Sequence, residues 1–221
     1  AKPSPKMSSV FSDFFALLEK VLATKDISND QYDELIGHLI GGRFEINKLS
    51  DNEFEYQYYS EKNPIPFHLL SSGVQELAPI LRYIKYRMQP GDLIIIEEPE
   101  AHLHPANQLL MAQLITKMIR EKVTVVLTTH SDYLVEQLAN YLKTGLLSPD
   151  DRKGLVSDSD LYIHDDEIGV YVMEKSEKDD LYHARELPID PLIGIPSEEF
   201  VRVSEILYNE TIQIEQELEA E

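Results

Sequence analysis

Residues 93–98 read L-I-I-I-E-E, and residues 123–131 read V-T-V-V-L-T-T-H-S. Each is a short, almost unbroken aliphatic run that stops abruptly at polar residues. Between them, Leu110, Leu114 and Met118 recur at four-residue spacing, the stripe of an amphipathic helix from about Ala106 to Glu121. Strand, helix and strand in that order, with apolar residues at successive strand positions, predict a β-α-β unit. Its strands are expected to be parallel neighbours, buried on both faces beneath helices. This unit puts the chain in the α/β class.

The remaining patterns hang on that unit. Phe11 to roughly Ile40 is predicted helical, with Phe14, Phe15, Leu18 and Leu22 on one apolar face. After a break near Asp26–Asp30, Tyr32, Leu35, Ile36 and Leu39 form another, and Gly41-Gly42 ends the segment. R-F-E-I-N and E-F-E-Y-Q-Y-Y alternate around L-S-D-N and predict an antiparallel hairpin. A helix from Val74 carries Leu77, Leu81, Ile84 and Met88 and stops at Pro90-Gly91. Another helix follows T-H-S-D and runs through Leu142. Residues 144–168 read as acidic loop, V-Y-V-M-E-K and Y-H-A-R-E-L as a second hairpin, and Glu198 to about Leu218 as a final helix. The expected organisation is a helical segment over 1–42, a central part over 43–142, and an acidic hairpin and helix over 143–221 of the same domain.

Charge narrows the partners. The net charge is -20, and residues 141–221 alone hold 21 acids against 7 bases. Such a surface repels phosphate backbones, so the chain by itself is a poor nucleic-acid binder. Most of these acids read as solvated faces; a basic partner for the tail I-E-Q-E-L-E-A-E is the alternative. The chain has no cysteine, hence no disulfide and no thiolate metal site. No apolar run approaches the ~20 residues that span a bilayer, and A-K-P-S-P-K-M lacks the apolar core of a signal peptide. A cytoplasmic location is expected, with no membrane partner.

The chemistry concentrates at the strand ends. Glu97, Glu98 and Glu100 lie within four positions, broken only by Pro99. Magnesium prefers hard oxygen ligands and keeps several waters, so one carboxylate can hold it. A second carboxylate one residue on can orient an attacking water. His130 closes the next strand, where a parallel pairing would bring it to the same edge and let it hydrogen-bond a terminal phosphate. Ser72, Gly73 and Gln75 begin a helix, which offers a hydroxyl, backbone N–H groups and the positive end of the dipole to an anion. Against this, none of the nine glycines precedes a Lys-Ser or Lys-Thr pair in G-x-x-x-x-G-K-[ST] spacing.

The order S-S-G-V-Q, then four aliphatics with E-E-P-E-A-H-L-H-P, then T-T-H-S resembles the ATP-binding-cassette class of P-loop ATPases. Within it the chain is most similar to the soluble branch: SMC-like, DNA-repair and overcoming-lysogenization-defect-like ATPases. The resemblance covers roughly residues 43–142 and implies a partial P-loop NTPase fold, with parallel strands flanked by helices plus antiparallel hairpins. It implies ATP and magnesium as cofactors, Glu97 as the magnesium ligand and Glu98 as the catalytic carboxylate. His130 then corresponds to the switch histidine. Ser72, Gly73 and Gln75 correspond to the signature motif, which caps ATP bound to an opposite subunit. Glu97 stands where the family more often has Asp, and Val74 replaces the usual second glycine of the signature. Ala101 to Pro105 falls at the loop that crosses the dimer interface, which favours interface and packing roles for His102 and His104 over a metal pair.

The missing phosphate loop shapes the functional expectation. The chain reads as the C-terminal part of a longer ATPase, or as one half of a split protein whose partner supplies the loop. It is expected to be inactive alone and to work in a dimer, the whole protein acting in nucleic-acid processing or defence. The alternative is a non-catalytic scaffold or dimerisation module with a degenerate ATPase fold. A carboxylate-based metal nuclease fits the acids but leaves Ser72 and His130 without a role.

Overall fold

Asp33 and Glu34 sit in the first turn of α1 (Asp33–Ile40), where acids suit the positive end of the helix dipole. Leu35, Ile36, Leu39 and Ile40 form its buried face, and Gly41 ends it in the left-handed conformation at φ 67°. The computed structural model describes residues 29–50, 53–155, 158, 160–176, 179–196 and 198–219. The helical pattern expected over Phe11–Leu22 lies outside the described residues. Contacts divide the chain into two units, Ala1–Thr128 and Thr129–Glu221.

In the first unit, β1 (Arg43–Ser50), β2 (Glu53–Ser60) and β3 (Asn63–Ile65) form an antiparallel sheet in that order. Phe44 pairs with Tyr58 across β1 and β2, their rings edge to face at 5.6 Å. The Tyr58 hydroxyl donates to the Ile40 carbonyl at 2.9 Å and ties the hairpin to the end of α1. Next come α2 (Ser72–Tyr86), β4 (Leu93–Glu97), α3 (Pro105–Arg120) and β5 (Thr124–Thr128). Leu77, Leu81 and Ile84 of α2 and Met111, Leu114, Ile115 and Met118 of α3 are buried, and α1 packs against both helices. Asn29 locks the start of the described chain to α2: its N–H donates to the Lys85 carbonyl at 2.8 Å and its amide to the Ile84 carbonyl at 3.0 Å.

β4 and β5 are parallel, in the register Leu93↔Thr124 through Glu97↔Thr128, as the β-α-β pattern requires. The expectation of burial on both faces is corrected. Ile94 is buried, but Leu93 and Ile95 are 62% and 69% exposed and Val126 is 48% exposed. Paired residues of a parallel ladder share a face, so these three side chains form one uncovered apolar patch. Four aliphatics in a row record that a strand is suited to burial; whether a layer lies over each face depends on other segments.

In the second unit, α4 (Asp132–Gly145) buries Leu134, Leu138, Tyr141 and Leu142. The stretch expected to be acidic loop instead contains a short helix, α5 (Pro149–Arg152), and supplies core through Leu161 and Ile163. The Ile163 N–H donates to the Tyr141 carbonyl at 2.9 Å, and the Arg152 guanidinium stacks on Tyr162 at 3.8 Å. β6 (Val170–Lys175) and β7 (Tyr182–Leu187) form the second antiparallel hairpin, and α6 (Glu198–Glu219) is the last helix.

One half-buried tyrosine gives a pH dependence. The Tyr83 hydroxyl donates to Asp92 Oδ2 at 2.7 Å, an oxygen that also accepts the Gln89 N–H at 2.7 Å. Burial, then that hydrogen bond and the charge of Asp92, push the Tyr83 hydroxyl up to about 12, with Arg87 pulling the other way. The folded chain therefore keeps a proton that the unfolded chain has lost. Stability from this group is complete below the unfolded value of ~10. It is lost as pH rises through about 12. Tyr58, Tyr86 and Tyr141 are also raised, first of all by burial. Tyr83→Phe is therefore expected to flatten, without abolishing, the alkaline fall of the urea midpoint; an equally steep fall would contradict this.

Candidate functional site

The three acids after β4 differ in kind. Glu97 is the last residue of the strand and is exposed, as is Glu98, whereas Glu100 is buried to 9% exposure. Only Glu97 and Glu98 are therefore open to a ligand. Glu98 adopts φ 44°, in the left-handed region that side-chain-bearing residues rarely enter. Its N–H is held by the Thr128 carbonyl at 3.0 Å and the Thr128 hydroxyl at 3.3 Å. Thr128 lies opposite Glu97 in the ladder, so the strand register itself fixes the turn where the chain leaves β4. A backbone held this way is the kind of local strain that concentrates at functional positions.

The loop after the acids is equally constrained. The Ala101 N–H donates to the Glu98 carbonyl at 2.9 Å and the Leu103 N–H to the Glu100 carbonyl at 3.0 Å. His102 takes a second left-handed conformation, φ 62°. His104 caps α3, its Nδ1 accepting the Ala106 N–H at 3.3 Å, and Pro105 occupies the first turn. His104 thus has a capping contact within the chain.

Ser72, Gly73 and Gln75 stand at the start of α2, as the sequence placed them. Ser71, one residue earlier, is the cap: its hydroxyl accepts the Val74 N–H at 3.4 Å and its carbonyl accepts the Gln75 N–H at 3.0 Å. The first N–H groups of a helix have no intrahelical acceptor; Ser72 is exposed there and suits an anion, whereas Gly73 is buried. The Gln75 amide donates to the Leu70 carbonyl at 2.8 Å, which braces the loop leading into the helix.

Sequence spacing did not reveal that this helix start touches the loop after the acids. A Cβ on Gly73 would lie 3.1 Å from the His102 carbonyl oxygen, so the absence of a side chain permits the approach. One turn on, Glu76 Oε1 lies 3.4 Å from His102 Nε2. The left-handed His102 is the residue that brings the loop against α2, and no glycine marked the position. The structure therefore joins the Ser72 segment to the Glu98 segment within one unit.

His130 belongs to the second unit, directly after β5 in the chain, and is exposed. It precedes the cap of α4: Ser131 Oγ accepts the Leu134 N–H at 3.1 Å, and the Ser131 N–H donates to Thr129 Oγ1 at 3.0 Å. Burial, with the charge of Glu136 added, raises the Asp132 carboxyl in the first turn of that helix.

A family profile described as an AAA ATPase domain matches residues 4–135. The Septu protein PtuA of Bacillus thuringiensis is 26% identical over 155 residues, which cover 69% of this chain and 34% of that protein. The chain therefore spans about a third of the length of that curated relative. The SMC head domain solved with the C-terminal winged-helix domain of ScpA has a TM-score of 0.50 at 14% identity, covering 85% of this chain and 48% of that one. A chain from work on ATP-driven dimerization and DNA-stimulated activation of SMC ATPases has a TM-score of 0.49 at 15% identity, covering 89% and 96%.

Proposed function

The chain belongs to the AAA ATPase domain family, with the fold of an SMC head, and from that premise we propose that it supplies the hydrolytic edge of a composite ATP site. The observation that carries this reading is the end of β4. Two exposed carboxylates stand there on successive residues, the second in a strained backbone held by Thr128, while the third acid is buried. Glu97 offers the hard oxygen that magnesium prefers, and bound magnesium would neutralise charge on the phosphates. Glu98 orients a water and takes its proton. By the resemblance His130, which lies in the second unit, would be the switch histidine. Ser72 presents a hydroxyl and the helix N-terminus to ATP held by another subunit, while Gly73 permits the close approach of the His102 loop and Gln75 keeps the segment in shape.

The phosphate-binding loop comes from another segment, either upstream in the same protein or on a partner chain. The uncovered patch of Leu93, Ile95 and Val126 supports this, because parallel sheets are covered on both faces. The switch so formed closes two subunits around ATP and opens them on hydrolysis. Nucleic-acid processing or defence in the cytoplasm is the process that fits the family, reached through the whole protein and not through this acidic chain. Among the described residues no helix is long and apolar enough to cross a membrane.

Turnover measured with and without a phosphate-loop segment tests the proposal. The isolated chain is expected to remain at background, and the longer protein to hydrolyse ATP in a magnesium-dependent way. Turnover by the isolated chain that Glu98→Gln abolishes would show that the site is complete within these residues. A longer protein that folds but neither binds nor hydrolyses ATP would leave a scaffold as the reading.

A further inference from the structure

Helix α6 has 22 residues, and Val203, Ile206, Leu207, Tyr208, Ile214 and Leu218 along it are exposed. Positions 203, 207, 210, 214 and 217 alternate steps of four and three, the spacing of a helix that packs along a partner through one seam. Val203, Leu207 and Ile214 occupy three of them, each more than half exposed. Glu210 and Glu217 occupy the other two, and both are exposed as well. Across its length the helix carries seven glutamates and one arginine, Arg202.

This arrangement selects the occupant. A second copy of α6 along the same seam would bury carboxylates among carboxylates, and a buried charge without an opposite partner is strongly destabilising. A partner with an apolar groove and lysine or arginine facing Glu210 and Glu217 satisfies both halves of the pattern. The acidic balance of the whole 141–221 region favours the same sign of partner and speeds its encounter. We infer that α6 is a docking helix for a basic protein surface, its aliphatic positions giving contact area and its two seam glutamates the selectivity. This inference stands apart from the ATPase reading, because it uses no residue of the proposed site.

A designed helical peptide serves as the probe: leucine faces Val203, Leu207 and Ile214, and lysine faces Glu210 and Glu217. A second peptide has glutamate in place of those lysines. Fluorescence anisotropy against the full chain is expected to show the lysine peptide binding at least about tenfold tighter than the glutamate peptide. Leu207→Glu with Ile214→Glu should weaken the lysine peptide by about tenfold or more. Glu210→Lys with Glu217→Lys should reverse the preference. All four positions are exposed, so circular dichroism should be unchanged in both variants. Equal binding of the two peptides, or binding that ignores Leu207 and Ile214, would overturn the inference. So would sedimentation showing the chain as a dimer that Ile214→Glu dissociates, because the occupant would then be a second copy.

Discussion

In the longer protein that carries a phosphate loop, Glu98→Gln is expected to lower ATP turnover by about 100-fold or more, the usual scale for a positioned general base. ATP binding should be retained, because the substitution keeps the size of the side chain and removes only its charge. The expectation rests on position. Glu98 is exposed, follows the last residue of β4, and has its backbone held by two acceptors of Thr128. Glu97→Gln should act differently, weakening the magnesium dependence of binding before it affects the chemical step. Single-turnover hydrolysis and nucleotide affinity, measured on the same samples, separate the two. If Glu98→Gln hydrolysed ATP at the wild-type rate, the role assigned to that carboxylate would be lost.

Gly145→Ala should destabilise the second unit by about 3 kcal/mol, at the upper end of what overpacking usually does. The added Cβ would sit 2.1 Å from the Ile163 carbonyl oxygen and 3.0 Å from its carbon, both backbone atoms. That segment has little room to retreat. The Ile163 N–H is bonded to the Tyr141 carbonyl at 2.9 Å, and the Thr144 hydroxyl donates to the Leu161 carbonyl at 2.9 Å. Moving the strand of chain away from α4 breaks those bonds and opens the contact that buries Leu161 and Ile163. Gly154→Ala is the control, since nothing lies within 4 Å of its added carbon. It should stay within about 0.5 kcal/mol of wild type. Urea unfolding of the pair decides the matter: similar midpoints would mean that the Gly145 approach is not a constraint.

The parts that were legible in the sequence are those with local periodicity. The β-α-β unit, both hairpins and helices α2, α3, α4 and α6 follow from spacing of apolar residues, and the ends moved by only a few residues. The stretch over residues 144–168 was harder. Leu161 and Ile163 are buried by long-range contacts with α4, although acids and turn residues surround them in the chain. The exposure of Leu93 and Ile95 was illegible for a related reason, because a four-residue aliphatic run carries no information about what lies over it. Of the proposed site, residue type and order alone suggested Glu97, Glu98, Ser72, Gly73 and Gln75. The approach of His102 to Gly73 could not, because it joins residues far apart in sequence through a positive φ that no glycine announced. The same holds for Thr128, whose part in holding Glu98 emerges only from the ladder register.

The central claim is that Glu98 and Ser72 of one chain serve different ATP sites, so that each site draws on two subunits. Its most direct measurement uses the longer protein, with a Ser72→Arg copy and a Glu98→Gln copy carrying different tags and purified together as a mixed dimer. Each variant alone should be inactive. In the mixed dimer both defects fall in one site and the other is intact, so turnover should return to about half of wild type under two-fold symmetry. A mixed dimer as inactive as its parents would contradict the composite site.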